Sequence, residues 1–427
     1  MDWTLHCDVC DVDWPADEVR YRCSCGGTLD VKHPFGDRAL PSLDALDARR
    51  ASRNAVDRSG VWRFREWILP LDEAHIVTRG EGNTHLYRAP ERLAQWVGLE
   101  NLWLKHEGEN PTGSFKDRGM TAGVSVARWL GMQDVACAST GNTSASLASY
   151  AAIAGMRAWV FVPEGRVAFG KLAQALAYGA TTLSVRGDFD DAMRLVQDVC
   201  ADEGIYLLNS VNPYRIEGQK AIGLEILQDL GWRVPDWIFV PGGNLGNNAA
   251  IARALLDLRD HGFGDRVPQI SVVQAAGANP LARAWRSGAA IEALRADTLA
   301  TAIRIGDPVS AHRSLRGLRQ TNGRVDDVTD DEILDAKAHV DAAGIGAEPA
   351  SCASVAGLRK AVLAGEVDRD AEVVCVLTGH VLKDPGLVVD YHMSQLDGHP
   401  TPFANAPIPV DATPSAVRDA IRRARGA

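Results

Sequence analysis

The chain has 427 residues, 46% of them hydrophobic and 23% charged. That length exceeds one ordinary core and predicts two or three domains. The net charge of −10 argues against nucleic acid as a partner. No apolar run reaches the roughly 18 residues of a membrane helix, and Met1–Cys7 lacks the basic and apolar regions of a secretory signal. A cytoplasmic protein is expected.

Residues 1–35 form a small Cys-rich, ribbon-like unit. Cys7 and Cys10 make a C-x-x-C knuckle, and Cys23 and Cys25 make a C-x-C knuckle across a short β-rich segment. Four thiolates so placed suit a structural tetrahedral zinc ion, with His6 and His33 as possible substitutes, or a ribbon that folds without metal. Cys137, Cys200, Cys352 and Cys375 lie among apolar neighbours and read as reduced core residues.

Residues 36–75 read as a helical connector with Trp62 and Trp67, in which Ala51–Asn54 looks like a solvated helix face. Residues 76–395 are expected to form the main body, with a smaller domain at about 125–225 inserted in it. Strand-like runs at 102–105, 135–138, 158–162, 181–185, 237–240 and 373–377 are short and apolar. Several alternate with helix-like runs. That alternation predicts an α/β architecture of open, mostly parallel sheets flanked by helices. Residues 396–427 combine a Pro-rich linker with a basic amphipathic helix over Ala416–Arg425, expected to dock on the surface.

Five loops after strand-like runs hold residue types with complementary chemistry. In Asn110–Gly119, Pro111 and Gly113 mark a turn, and Ser114 or Asp117 could cap the helix that opens there. Lys116 then stands at a strand-to-helix junction, where its amine could form a Schiff base with an aldehyde cofactor. Ser139, Thr140, Gly141, Asn142 and Thr143 open an Ala-rich helix, as either a carboxylate cradle or ordinary caps. Gly242, Gly243, Asn244, Leu245, Gly246 and Asn247 precede another helix. They lack the endings of nucleotide-binding loops, so a small phosphate ester fits better than ATP or NAD. Thr378 follows the last apolar strand, where its hydroxyl could meet a heteroaromatic nitrogen. Asn209–Lys220 gathers amide, guanidinium and ammonium donors suited to a second phosphate, or to plain solvation.

Taken together, NPTGSFKDRGM (110–120), CASTGNTSAS (137–146), FGKLAQALAYGA (169–180), NSVNPYRIEGQK (209–220), TAIRIGDP (301–308), EPASCASVAG (348–357) and LTGHVLKDP (377–385) resemble the threonine synthases. These are fold-type-II pyridoxal-phosphate (PLP) enzymes, like the tryptophan synthase β chain. The resemblance spans roughly residues 76–390. It implies that Lys116 holds PLP and then shuttles protons, beside Phe115. Asn142 would meet the 3′-oxygen, residues 242–247 the cofactor phosphate, and Thr378 the ring nitrogen. Ser139, Thr140 and Thr143 would hold the substrate carboxylate, while Asn212, Arg215, Lys171 and Ser114 are the candidates for its phosphate.

The implied reaction converts O-phospho-L-homoserine and water to L-threonine and phosphate, in a homodimer. Two departures stand out: His85 occupies a usual proline position, and a glycine precedes the usual Gly-Asn start of the phosphate loop. An alternative keeps the scaffold for another phospho-amino acid, such as O-phosphoserine, or another nucleophile. A second alternative makes the cysteine unit a zinc-dependent interaction module on a retired enzyme body.

Overall fold

A computed structural model describes residues 3–37, 39–164, 169–187 and 189–426. The chain separates into two compact units, residues 1–383 and 384–427. Among the described residues no helix is long and apolar enough to cross a membrane.

Among the described residues the first unit holds three sheets. Strands β1 (Thr4–Cys7), β2 (Asp13–Pro15) and β3 (Leu29–Lys32) form an antiparallel ribbon in the order β2-β1-β3. Six strands form the large sheet: β4 (Leu86–Arg88), β5 (Leu102–His106), β10 (Trp237–Pro241), β11 (Gln269–Ala275), β12 (Arg324–Val328) and β13 (Val373–Leu377). Their order is β12-β11-β10-β13-β5-β4, parallel except for β4. The third sheet is fully parallel, in the order β8-β7-β6-β9. It comprises β6 (Asp134–Ala138), β7 (Arg157–Pro163), β8 (Thr181–Val185) and β9 (Tyr206–Leu207). The central strands β10 and β13 are buried almost throughout, as parallel strands covered by helices on both faces must be. From β10 the order runs outward through β11 and β12 on one side and jumps to β13 and β5 on the other. The reversal leaves a crevice at the carboxyl ends of β10, β13 and β5, where open α/β sheets accept ligands.

Two helices frame that crevice, Lys116–Trp129 and Pro213–Asp229. They cross with their backbones nearly touching. A Cβ at Gly218 would fall 2.0 Å from the Arg118 carbonyl oxygen, and one at Gly119 would fall 2.7 Å from that of Arg215. Only glycine permits this approach. Beneath the crossing lies a buried charge cluster. Arg118 grips Glu107 through Nε and Nη2, both at 2.6 Å, and reaches Glu225 at 2.5 Å. Lys105 joins Glu225 at 3.0 Å and Asp229 at 2.8 Å, and Arg63 joins Glu225 at 2.9 Å. Burial alone would raise the Glu225 pKa, but Arg118, Lys105 and Arg63 hold it well below the usual carboxylate range.

Several local expectations need correction. The helix at Lys116 has Phe115 at its N-cap with no side-chain cap bond. Ser114 Oγ only accepts from the Lys116 N–H at 3.4 Å. The Asp117 carboxylate instead accepts from Thr112 N at 2.7 Å and from Ser146 Oγ at 2.6 Å. Ala51–Asn54 is no helix face but the break between helices Leu43–Arg50 and Ala55–Arg58, with Asn54 capping the second. Trp62 and Trp67 are buried, and Trp62 Nε1 donates to Thr121 on the Lys116 helix. At the usual proline position, the His85 N–H donates to Glu109 at 2.8 Å, a bond proline could not make. In the second unit, a helix spans Pro385–His392 and another spans Pro414–Gly426.

Candidate active site

A cavity opens at the crevice. Lys116 enters it from the first residue of its helix. The loop carrying this lysine is stitched to the loop after β13. Phe115 N donates to Thr378 O at 3.0 Å, and His380 N donates to Gly113 O at 3.0 Å. The Lys116 amine sits 4.2 Å from the centre of the Phe115 ring. Burial, aided by the positive charge of Arg215 and opposed by Glu348, pushes its pKa down to about 7. A neutral amine is the form that attacks a carbonyl.

The opposite wall is the start of helix Gly246–Asp260, which follows the glycine-rich loop after β10. Leu245 adopts a left-handed backbone (φ 63) that turns the chain into the helix. Gly243 to Asn247 line the cavity, with the helix's first N–H groups at that end. The Asn247 side chain is buried, yet neither its amide nitrogen nor its oxygen has a partner. Two further orphans line the same cavity: Arg215 Nε and Gln219 Oε1. Buried polar groups are nearly always paired, so orphans gathered at one cavity mark where a polar ligand belongs.

Arg215 projects from the Pro213–Asp229 helix, its Nη1 bonded to Leu208 O at 2.9 Å. Desolvation pulls its pKa down to about 10. Arg215 and the near-neutral Lys116 amine share the cavity with one carboxylate, Glu348. The unpartnered Arg215 Nε is the donor that an anionic ligand would meet.

Asn142, Glu348 and Thr378 meet on a third side. Asn142 Nδ2 lies 3.1 Å from one Glu348 carboxylate oxygen and 3.4 Å from the other. Thr378 Oγ1 is 3.4 Å from Glu348 and 3.0 Å from Ser351 Oγ.

The cavity thus gathers Phe115, Lys116, Asn142, Arg215, Gly243 to Asn247 and Thr378. Other expected residues stand outside its lining. Ser139, Thr140 and Thr143 are half-buried beside Asn142 at the same helix start, and Ser139 Oγ accepts from Gly141 N at 3.3 Å. Ser114 is buried in the bridge to Gly379, and Gly242 is tied by its N–H to Val273 O. Asn212 is spent on the fold: Oδ1 caps Tyr214 N, and Nδ2 donates to Leu207 O at 3.0 Å. The Lys171 side chain lies outside the described residues.

Glu348, Gln219 and Ser210 line the cavity without having been assigned roles. Each lay inside a segment already singled out. A carboxylate directly before the Pro-Ala-Ser start of a helix was the available signal for Glu348.

The four N-terminal thiols converge as well. The Sγ atoms of Cys7, Cys10, Cys23 and Cys25 all lie within 4.8 Å of one another. His6 and His33 take no part. His6 pairs with Asp13 at 2.6 Å, and His33 pairs with Glu217 at 2.7 Å.

The model of the pyridoxal-phosphate dependent enzyme family matches residues 77–379. The chain belongs to the pyridoxal-phosphate dependent enzymes. It is 47% identical to the threonine synthase of Methanosarcina acetivorans over 421 residues, covering 98% of each chain. It is 45% identical to that of Methanocaldococcus jannaschii, covering 90% of this chain and 93% of the relative. Within the larger class, it is a member of the threonine synthase family. The threonine synthase structure from Escherichia coli superimposes with a TM-score of 0.69 over 99% of this chain and all of that one, at 16% identity, a likeness of fold.

The residues present fit pyridoxal phosphate. A lysine of lowered pKa stands across one cavity from a glycine-rich helix start with an unpartnered asparagine amide.

Proposed function

We propose that this enzyme converts O-phospho-L-homoserine and water to L-threonine and phosphate, with Lys116 as the cofactor's attachment point. The observation that carries this reading is the cavity itself. Its lysine, its helix start and the orphaned Arg215 Nε and Asn247 Nδ2 provide for an aldehyde and for anionic groups, while the orphaned Gln219 Oε1 calls for a ligand donor.

When bound, pyridoxal phosphate supplies an electron sink that acidifies the substrate Cα–H. Lys116, with a pKa near neutrality, takes the proton from Cα and later returns one there. Between those events a Cβ proton leaves, the Cγ–O bond to phosphate breaks, Cγ gains a proton, and water's hydroxyl joins Cβ. Lys116 is the group placed to carry these protons.

Gly243 to Asn247 hold the cofactor phosphate, with Gly242 at the start of their loop. Asn142 would meet the ring's 3′-oxygen and Thr378 its nitrogen, and Phe115 packs beside the lysine. Arg215 binds the substrate phosphate, and Ser139, Thr140 and Thr143 meet its carboxylate once the smaller domain closes. Ser114 and Lys171 are the further candidates for that phosphate, whereas Asn212, the other candidate, spends both ends of its amide on the fold.

We assign residues 1–35 to the ribbon unit and 36–75 to the connector. Residues 76–395 form the catalytic body, with the smaller domain at about 125–225, and 396–427 form the tail. The working form is a cytoplasmic homodimer.

The test is turnover with O-phospho-L-homoserine, reading phosphate and threonine together, with O-phospho-L-serine as control. Equal release of both products from the first substrate is expected. Phosphate without threonine would refute the assignment.

A further inference from the structure

The cysteine ribbon does not stand apart from the cavity. A tetrahedral zinc ion bound by four sulfurs at about 2.3 Å spaces them about 3.8 Å apart. The Cys7–Cys25 and Cys10–Cys23 sulfurs are 3.5 and 3.4 Å apart, close to that edge length, and all four thiols are free. Gly27 leaves room for the cluster, since a Cβ there would fall 2.8 Å from Cys7 Sγ.

From this knot the ribbon is tied to the main body at four places, two of them beside cavity-lining residues. Tyr21 Oη accepts from Leu207 N at 2.7 Å, one residue before the carbonyl that anchors Arg215. Tyr214 Oη donates to Ala16 O at 2.6 Å. The buried His33 side chain pairs with Glu217, which also holds Lys220 at 3.1 Å. Asp30 pairs with Arg313 and Arg316 on helix Ala311–Gln320, and Asp8 pairs with Arg316. Tyr214 and Glu217 bracket Arg215 and Ile216, both of which line the cavity. Trp3, Leu5, Leu29 and Val31 of the ribbon join the core of the main body, while Cys10 and Cys25 lie exposed on turns that gain least from that packing.

We propose that the ribbon is a zinc-loaded brace for the Arg215 wall. One ion, bound by Cys7, Cys10, Cys23 and Cys25 as their four protons pass to solvent, fixes the ribbon. Through Tyr21, Tyr214 and Glu217, the ribbon then fixes the start of the Pro213–Asp229 helix. Cys10 and Cys25 are exposed, so the ion sits at the surface while its effect is felt inside. The catalytic part of this inference rests on the role assigned to Arg215; the metal and the stiffening do not.

The test uses the full-length, cofactor-loaded protein. Metal analysis after expression with zinc should find about one zinc per chain. Cys10→Ser/Cys25→Ser should lose it. Amide hydrogen exchange should then quicken about tenfold or more across residues 206–220, with 237–241 and 373–377 unchanged. KM for the phospho-substrate should rise more than kcat falls. Tyr214→Phe keeps the four thiols but cuts one tie. It should retain zinc and quicken exchange in 213–220 by about threefold, which keeps the test alive if the double variant fails to fold.

Absence of zinc overturns the proposal, as does its loss with exchange in 206–220 unaltered. The exchange readout stands even if O-phospho-L-homoserine is not turned over, so failure of the brace and failure of the assigned reaction are distinguishable.

Discussion

The two ends of the Pro213–Asp229 helix bury polar groups in opposite ways. At its C-terminal half, Glu225 meets Arg118, Lys105 and Arg63, all within 3.0 Å. At its N-terminal half, Arg215 Nε and Gln219 Oε1 face the cavity with no partner. One helix thus carries a cluster where each charge finds its opposite and a wall left unpaired. A closed charge cluster serves the fold, and its loss is felt as instability. Unpaired groups serve a ligand, and their loss is felt as weakened binding. The two lie within ten residues of each other, so burial alone does not separate structure from function here. Pairing does.

Mutation can break this contrast, and the largest effect is expected at the lysine. Lys116→Ala should cut turnover by about a thousandfold or more, since acid–base catalysis alone contributes roughly 10²–10⁴. The cofactor's visible absorption should lose its protein-bound form, as a spectrum before and after dialysis will show.

Next comes Glu225→Ala, which leaves Arg118 with Glu107 and Lys105 with Asp229 but takes the paired carboxylate from buried Arg63. It should cost about 3–5 kcal/mol in urea denaturation. Its pH signature has a definite sign. The Glu225 pKa is depressed in the folded state, so its contribution is fully present above the ordinary glutamate value of about 4.3. It is lost as pH falls through the folded value. The stability gap between wild type and variant should therefore narrow as pH falls below about 4.3.

Arg215→Leu should do the reverse. We expect KM for the phospho-substrate to rise about tenfold to a hundredfold, the equivalent of a lost hydrogen bond to a charged group. The cofactor-free protein should keep its stability or gain some.

A separate effect is expected from pH acting on Lys116 in the cofactor-free protein. Its amine is pushed down to about 7, whereas an unfolded lysine titrates near 10.4. The unfolded chain binds the extra proton between those values. Stability should therefore rise with pH across that window, and Lys116→Met should flatten the slope.

Much of this architecture was legible in the sequence. The runs that became β5, β6, β7, β8, β10 and β13 were short, apolar and bounded by turn residues. β12, Arg-Val-Asp-Asp-Val, was hidden because it is an edge strand with polar residues, and β9 because it is only two residues long.

The site was legible where a loop's position after a strand fixed its residues, as for Lys116 and Asn247. It was not legible where one residue type serves two ends. An asparagine amide caps a helix as readily as it holds a phosphate, and Asn212 does the former. Nor does sequence alone show that Glu348, some 200 residues beyond Asn142, meets it in space.

Within unit 1, Lys383 is a second lysine whose pKa burial pushes down, although Glu348 and Asp117 oppose that shift. The central claim, that Lys116 and no other lysine carries the cofactor, is therefore open to direct test. Borohydride reduction of the loaded enzyme, followed by peptide mass mapping, locks the cofactor where it is attached. The pyridoxyl mass is expected on the peptide containing Lys116. Finding it on Lys383 or any other lysine would contradict it.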